Sequence, residues 1–256
     1  MTRNIKTENK DVREDIFHLS LDSIQLWHVD ICQLSAAFYQ HLLDCLSTDE
    51  RERAASFKFE GDQSVFVIAR GILRHLLAAY LKKFPSNIDF TYNVYGKPLM
   101  KQSKQDNPIY FNLSHSNNMV VYAFSLKKFV GIDIEYIKAD IVEPGVVQQV
   151  LSKKEQKVFY GKPIEKQPLS FFRIWVCKES LIKALGHGFS YSPIKIELDI
   201  RKDPISLSQE GQNKPFTQKW LLKEFSLTCG YVGAVALKTR QDKGITHSWI
   251  TEDLFY

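Results

Sequence analysis

The sequence predicts an α+β protein made of two similar halves that meet near residues 126–130. Three observations carry that expectation. A helical stretch, an extended segment and paired short strands follow one another twice along the chain. The runs that close the two series, MVVYAFSLKK and YVGAVALKTR, are weakly alike. At 256 residues the chain is also long enough for two small units, each with its own core. The expected division is an N-terminal subdomain over 1–128 and a C-terminal subdomain over 129–256.

Taken in order, residues 1–15 are polar and read as loosely attached. SIQLWHVDI (23–31) alternates as a strand does. Ser47 and Thr48 precede a charged run and mark a capped helix start. VFVIARGILRHLLAAYLKKF, from Val65, spaces its apolar residues as a helix, and Pro85 stops it. NIDFTYNVYG (87–96) reads as extended, and IYFNLSHS (109–116) and NMVVYAFSL (118–126) as two strands joined by a polar turn. In the second half, 168–188 reads as a helix ended by Gly186 and Gly188. PIKIELDI (193–200), KWLLKEFSL (219–227) and YVGAVALKT (231–239) read as strands by alternation and β-branching.

Composition removes several classes. With 44% hydrophobic and 25% charged residues the chain reads as a soluble globular protein. The opening MTRNIKTENKDVRED is too polar for a secretory signal. The longest apolar runs, 65–69 and 119–124, are too short to span a bilayer. Cys32, Cys45, Cys177 and Cys229 are scattered without a C-x-x-C pair and read as buried free thiols of a reducing cytoplasm. NLS (112–114) matches the glycosylation pattern, by accident in such a compartment. The net charge of +5 mildly favours anionic partners, but no dense basic run with interleaved aromatics points to nucleic acid.

The chemistry concentrates in a few stretches. In VGIDIEYI (130–137) a strand puts Asp133 and Glu135 on one face, with the isoleucine between them, Ile134, on the other. Like charges that close raise each other's pKa unless a cation lies between them. In WVCKESLIKA, Glu179 and Lys183 stand four apart on one helix face, one turn after Trp175. An isolated pair of this kind is usually a surface feature worth about 0.3–0.5 kcal/mol. Beside the other acids it reads differently: Asp133, Glu135 and Glu179 supply three hard oxygen ligands, the donor type of Mg²⁺, which is commonly shared with a substrate phosphate. YGKP (95–98) sets Lys97 in a tight turn from which it could reach a phosphate, and NLSHS (112–116) places Ser114 and His115 at a strand end. Arg70 and Arg74, four apart, could form a guanidinium face for a phosphate. Arg53, in RER, is a weaker candidate because such runs are what a solvated helix looks like.

These motifs resemble the 4′-phosphopantetheinyl transferases, in particular their larger, pseudo-dimeric Sfp-type branch. The resemblance runs from residue 46 to 239. VGIDIE and FFRIWVCKESLIKALGHG match the family's G-[IV]-D-x-E and [FW]-x-x-[KR]-E-[SA]-x-x-K signatures in order, with 44 positions from Glu135 to Glu179. YGKP and FNLSHS match its two upstream motifs. The resemblance implies two subdomains in pseudo-twofold arrangement, with Asp133, Glu135 and Glu179 coordinating Mg²⁺ on the coenzyme A pyrophosphate. It implies that Lys183 contacts the phosphates and assists proton transfer. Lys97, Ser114 and His115 would bind the nucleotide end, His115 at the 3′-phosphate. Arg70, in AR-x-x-LR, would be a phosphate-binding arginine, with Arg53 aligned less securely. Glu155, in LSKKE, falls where relatives carry another active-site carboxylate, and Ser56 stands where a basic residue is expected.

The reaction so implied is attack by a serine hydroxyl of an apo acyl or peptidyl carrier protein on the β-phosphorus of coenzyme A. The leaving group is 3′,5′-ADP, and Glu179 or water held by the metal takes the serine proton. Two rivals stand beside it. Another Mg²⁺-dependent phosphodiesterase would account for the acids but not for the ordered G-K-P, S-H-S and K-E-S-x-x-K set. A coenzyme A-binding, non-catalytic homologue would have no need to keep Asp133, Glu135, Glu179 and Lys183 together. No residue chooses among fatty-acid, polyketide, nonribosomal-peptide and lysine-pathway carriers. The duplicated halves predict a monomer.

Overall fold

A computed structural model describes residues 16–21, 23–101, 108–186, 188–208, 216, 219–228, 230–239 and 244–255. The expectations for residues 1–15 and for Cys229 lie outside them. Two sheets, the first mixed and the second antiparallel, stack face to face, and a long helix covers the outer side of each. The first sheet has the order β11-β1-β5-β4 and the second β6-β10-β9.

Alternation along the strands builds these layers. On β1 (Ile24–Asp30) and β5 (Met119–Ser125), Trp27, Val29, Tyr122 and Phe124 point outward to helix α3 (Glu60–Leu81), while Leu26, Val121 and Ala123 point to the second sheet. On β6 (Val130–Tyr136) and β10 (Tyr231–Lys238), Ile132, Ile134, Val235 and Leu237 complete the layer between the sheets. Val232, Ala234 and Ala236 face helix α6 (Gln167–Leu185) on the far side. Asp133 and Glu135 share that far face, as the alternation predicts.

Helix α3 starts at Glu60, five residues before the expected Val65, with Glu60 and Asp62 in its first turn, where acids suit the helix dipole. Its C-terminal Lys82 is left-handed (φ 52°), so the chain has turned before Pro85. By length and composition α3 could cross a membrane, but it is mostly buried inside the fold. It also carries Arg70 and Arg74, both buried against Glu50 of α2 (Thr48–Ala55). It is the core helix of the first half, preceded by α1 (Ala36–Asp44), whose N-cap is Ser35.

The two sheets meet edge to edge at β4 (Tyr110–Ser116) and β6. Side chains join them there. Asn112 Oδ1 accepts from the Ile132 N–H at 2.8 Å, and the Ser114 and Ser116 hydroxyls donate to Asp133 and Glu135, each at 2.8 Å. Asn112, Ser114 and Ser116 stand at alternate positions, so one face of β4 lies along β6. Buried Asn112 is no glycosylation acceptor. On the other side of β6, Gly131 lets α6 touch the strand: a Cβ there would lie 2.0 Å from the Ser180 carbonyl and 2.3 Å from the Ala184 nitrogen.

Several expectations need correction. The strand expected over 193–200 is a 3₁₀ turn at Pro193–Lys195 followed by the short β7 (Leu198–Asp199), paired with β8 (Ser206–Leu207). The Ile196 N–H bonds back to Pro193, so Ile196, Leu198 and Ile200 alternate by packing into the second core rather than by a long ladder. The extended reading of 87–96 narrows to β2 (Phe90–Tyr92), which pairs with β3 (Pro98–Met100) around a turn. After β9 (Trp220–Phe225) and β10 comes β11 (Ile245–Trp249), which the sequence reading missed. It runs parallel to β1, so the end of the chain lies in the first half's sheet. Also unforeseen are α4 (Pro144–Val150) and α5 (Lys153–Tyr160). Cys32 is exposed and Cys45 half-buried, against the expectation of buried thiols; Cys177 is buried, and all three are free.

Candidate active site

The site forms where β4, β6 and α6 converge. Asp133 is buried, and its Oδ1 accepts from Lys183 Nζ at 2.6 Å and from Ser114 Oγ at 2.8 Å. Lys183 Nζ also donates to Ser114 Oγ at 2.8 Å, closing a three-membered cluster. Oδ2 of Asp133 is buried with no partner among the described residues. Glu135 accepts from Ser116, and Trp175 also hydrogen-bonds its carboxylate. Glu179 lies one helical turn from Lys183 and next to both acids.

Crowding shows in the electrostatics. Burial, then the Asp133 and Glu135 charges, push the Glu179 carboxyl up to about 7 against the lowering effect of Lys183. Glu135 is raised by burial and by Asp133, partly offset by Ser116, Lys183 and Trp175. No three His, Cys, Asp or Glu among the described residues already stand at metal-ligand spacing. The Lys183 ammonium is the cation at Asp133.

A cavity of about 440 Å³ opens beside this cluster. Its walls are Arg53 and Phe57 near α2, Phe66 and Arg70 on α3, the turn Tyr95–Pro98, Phe111 to Leu113 and His115 on β4, and Lys183, Gly186 and Gly188 at the end of α6. Arg70 is buried with its guanidinium 4.7 Å from the Phe90 ring centre, and its Nη1 has no partner among the described residues. His115 sits on the cavity wall with its pKa lowered by desolvation and by Lys183. Exposed Arg53 stacks 5.5 Å from Phe66.

Comparison with known proteins matches two stretches of the chain. Residues 129–236 match the model of the 4′-phosphopantetheinyl transferase superfamily, and residues 33–127 match that of the 4′-phosphopantetheinyl transferase N-terminal region. The 4′-phosphopantetheinyl transferase HetI of Nostoc sp. is 33% identical over 169 residues, which cover 66% of this chain and 71% of HetI. The chain belongs to the 4′-phosphopantetheinyl transferase superfamily. The transferase psf-1 of Bacillus pumilus is 32% identical over 68% of this chain and 69% of its own length. The transferase Sfp of Bacillus subtilis is 28% identical over 70% and 74%.

Within this transferase, the residues singled out from the sequence separate into two groups. Asp133, Glu135, Glu179, Lys183 and Ser114 come together, and Arg53, Arg70, Lys97 and His115 line the adjoining cavity. Arg74 does not join Arg70 as a phosphate face. Its Nε donates to Glu50 at 2.7 Å and its Nη1 to the Pro85 and Ile88 carbonyls at 2.9 Å each, so these donors are spent inside the fold. Glu155 also stands apart from the acids. It closes the N-terminal capping box of α5, accepts from the Leu198 N–H, and pairs at 2.5 Å with the fully buried Lys178. Ser56 is the C-cap of α2, and its hydroxyl donates to the Arg53 carbonyl. Sequence reasoning missed Asn93, Asn112 and Ser116. The i, i+2, i+4 spacing of Asn112, Ser114 and Ser116 was the available signal, a polar stripe on an otherwise apolar strand.

Proposed function

We propose that this transferase moves the 4′-phosphopantetheine arm of coenzyme A to a serine of an apo acyl or peptidyl carrier protein, in a Mg²⁺-dependent reaction that releases 3′,5′-ADP. The observation that carries the reading is the Asp133–Lys183–Ser114 cluster, crowded by Glu135 and Glu179, at the wall of a cavity containing the unpartnered Arg70 nitrogen. The donor set fits the metal. Asp133 has an orphan buried oxygen and its charge helps raise the carboxyl pKa of both Glu135 and Glu179, so the three are hard ligands in need of a cation. Bound through Asp133, Glu135 and Glu179, Mg²⁺ would neutralise pyrophosphate charge.

The chain's own residues do the rest. Arg70, Arg53 and His115 hold the nucleotide end. Lys183, which Asp133 and Ser114 orient, neutralises the phosphate being displaced. The serine hydroxyl attacks the β-phosphorus, the bond to the 3′,5′-ADP oxygen breaks, and Glu179 takes the serine proton. The nucleophile belongs to the carrier, which accounts for the lack of a G-x-S-x-G stretch in the chain. The duplicated halves supply the whole site, so we expect a monomer.

Intact-protein mass spectrometry of apo carrier proteins, incubated with this protein, coenzyme A and Mg²⁺ beside an EDTA control, tests the proposal. The expected result is a mass gain of one phosphopantetheine arm, lost with EDTA. Hydrolysis of coenzyme A without a modified carrier would overturn it.

A further inference from the structure

We propose that the loop Asn93–Lys97 is a clamp on the last turn of α6, and that Asn93 and Lys97 position Glu179 and Lys183 for the transfer. The proposal rests on the reaction assigned above, but assigns the loop a task other than holding nucleotide.

A helix ends with carbonyls that have no partner within it. Helix α6 closes with Gly186 in the left-handed region (φ 75°), whose N–H returns to the Ile182 and Lys183 carbonyls. Two more donors arrive from the other half of the molecule. Asn93 Nδ2 donates to the Gly186 carbonyl at 2.8 Å, and Lys97 Nζ to the Lys183 carbonyl at 2.6 Å. Lys97 Nζ also donates to the carbonyl of Val130, the first residue of β6, at 3.2 Å. A single ammonium therefore ties the helix bearing Glu179 and Lys183 to the strand bearing Asp133 and Glu135. A cation there also suits the negative end of the helix dipole.

The loop is shaped for this. Asn93 Oδ1 accepts from the N–H groups of Tyr95 and Lys97, both at 2.9 Å, and the Asn93 N–H donates to the Lys97 carbonyl at 3.0 Å. Those partners also orient the amide: two backbone donors require its oxygen, and the Gly186 carbonyl requires its nitrogen. The other side of the contact favours glycine by its backbone: Gly186 and Gly188 lie in the left-handed region (φ 75° and 53°), and a Cβ on Gly186 would also crowd Asn93 Nδ2 at 3.1 Å. The loop Asn93–Lys97 and the glycines Gly186 and Gly188, far apart in the chain, are two faces of one joint. Burial, then the Lys183 charge, lower the Lys97 pKa to about 8, as expected of an ammonium enclosed by the joint.

The test uses Asn93→Asp and Lys97→Met. Asn93→Asp keeps the oxygen that builds the turn and replaces the amide donor with an anionic oxygen facing the Gly186 carbonyl. Each variant should lose about tenfold or more in kcat at saturating coenzyme A, because small misplacements of reacting groups are costly. Its calorimetric Kd for coenzyme A should stay within about threefold of the parent. An unchanged kcat, or a loss carried by coenzyme A affinity, would overturn the clamp; the second pattern from Lys97→Met would make that lysine a nucleotide ligand. Hydrogen–deuterium exchange reads the joint without any activity. Residues 180–186 should exchange faster in Asn93→Asp, and unchanged exchange overturns the proposal. A parent protein that modifies no carrier would overturn the reaction, and the exchange data would still decide the clamp.

Discussion

Two carboxylates that look alike in sequence behave differently once their partners are known. Asp133 is crowded by two other acids and offset by Lys183, whereas Glu155 is saturated by Lys178, Ser152 and Leu198. Asp133→Asn should therefore abolish transfer, by at least 100-fold in kcat, without lowering the melting temperature, because it relieves like-charge crowding. Full activity would remove Asp133 from the site. Glu155→Gln should do the opposite. It strands the buried Lys178 ammonium and should cost about 3–5 kcal/mol in chemical denaturation, while the folded fraction keeps its kcat. A selective loss of kcat would return Glu155 to the chemistry.

Between elements, the contact of β6 with α6 is the tightest constraint. Gly131 meets the backbone of α6 at Ser180 and Ala184 with no room for a methyl group, and backbone cannot swing away as a side chain can. Gly131→Ala must push the helix outward, separating Lys183 from Asp133. We expect a loss of about 1–3 kcal/mol of stability together with a loss of kcat beyond tenfold. Thermal melts and single-turnover transfer would measure the two; parent-like behaviour in both would show that the joint yields.

Across the whole molecule, the returning C-terminal segment docks on buried histidines. His28 Nε2 is 3.1 Å from His247 Nδ1, joining β1 to β11, and the Phe255 ring lies 4.9 Å from that of His75. Burial, then the neighbouring histidine, lower the His28 pKa to about 3 and that of His75 to about 4. Between those values and the ordinary 6.5 the unfolded chain binds more protons, so each histidine's contribution to stability falls as pH falls. From pH 7 to 5 each should remove about 2 kcal/mol, at roughly 1.4 kcal/mol per pH unit below 6.5. Glu135 and Glu179, with raised pKa values, act in the opposite direction, so the histidine share is read by difference. His28→Gln and His75→Gln should each lose about 2 kcal/mol less than the parent over that interval in urea denaturation. Parallel curves for parent and variants would contradict the assignment.

These scales also separate what could be read early from what could not. The shared face of Asp133 and Glu135, the Glu179–Lys183 pair and the β4–β5 hairpin follow from periods of two and 3.6 residues, so sequence alone determined them, along with the motif order that points to the family. The tertiary structure alone decided where charges end up. Arg74 turned inward to Glu50 and two carbonyls, Glu155 to Lys178, and Lys97 to the end of α6. It also decided that β11 returns to β1. Local spacing says which way a side chain points. Which buried donor or acceptor lies there to satisfy it depends on elements tens of residues away, and a buried polar group takes whatever partner the packing brings.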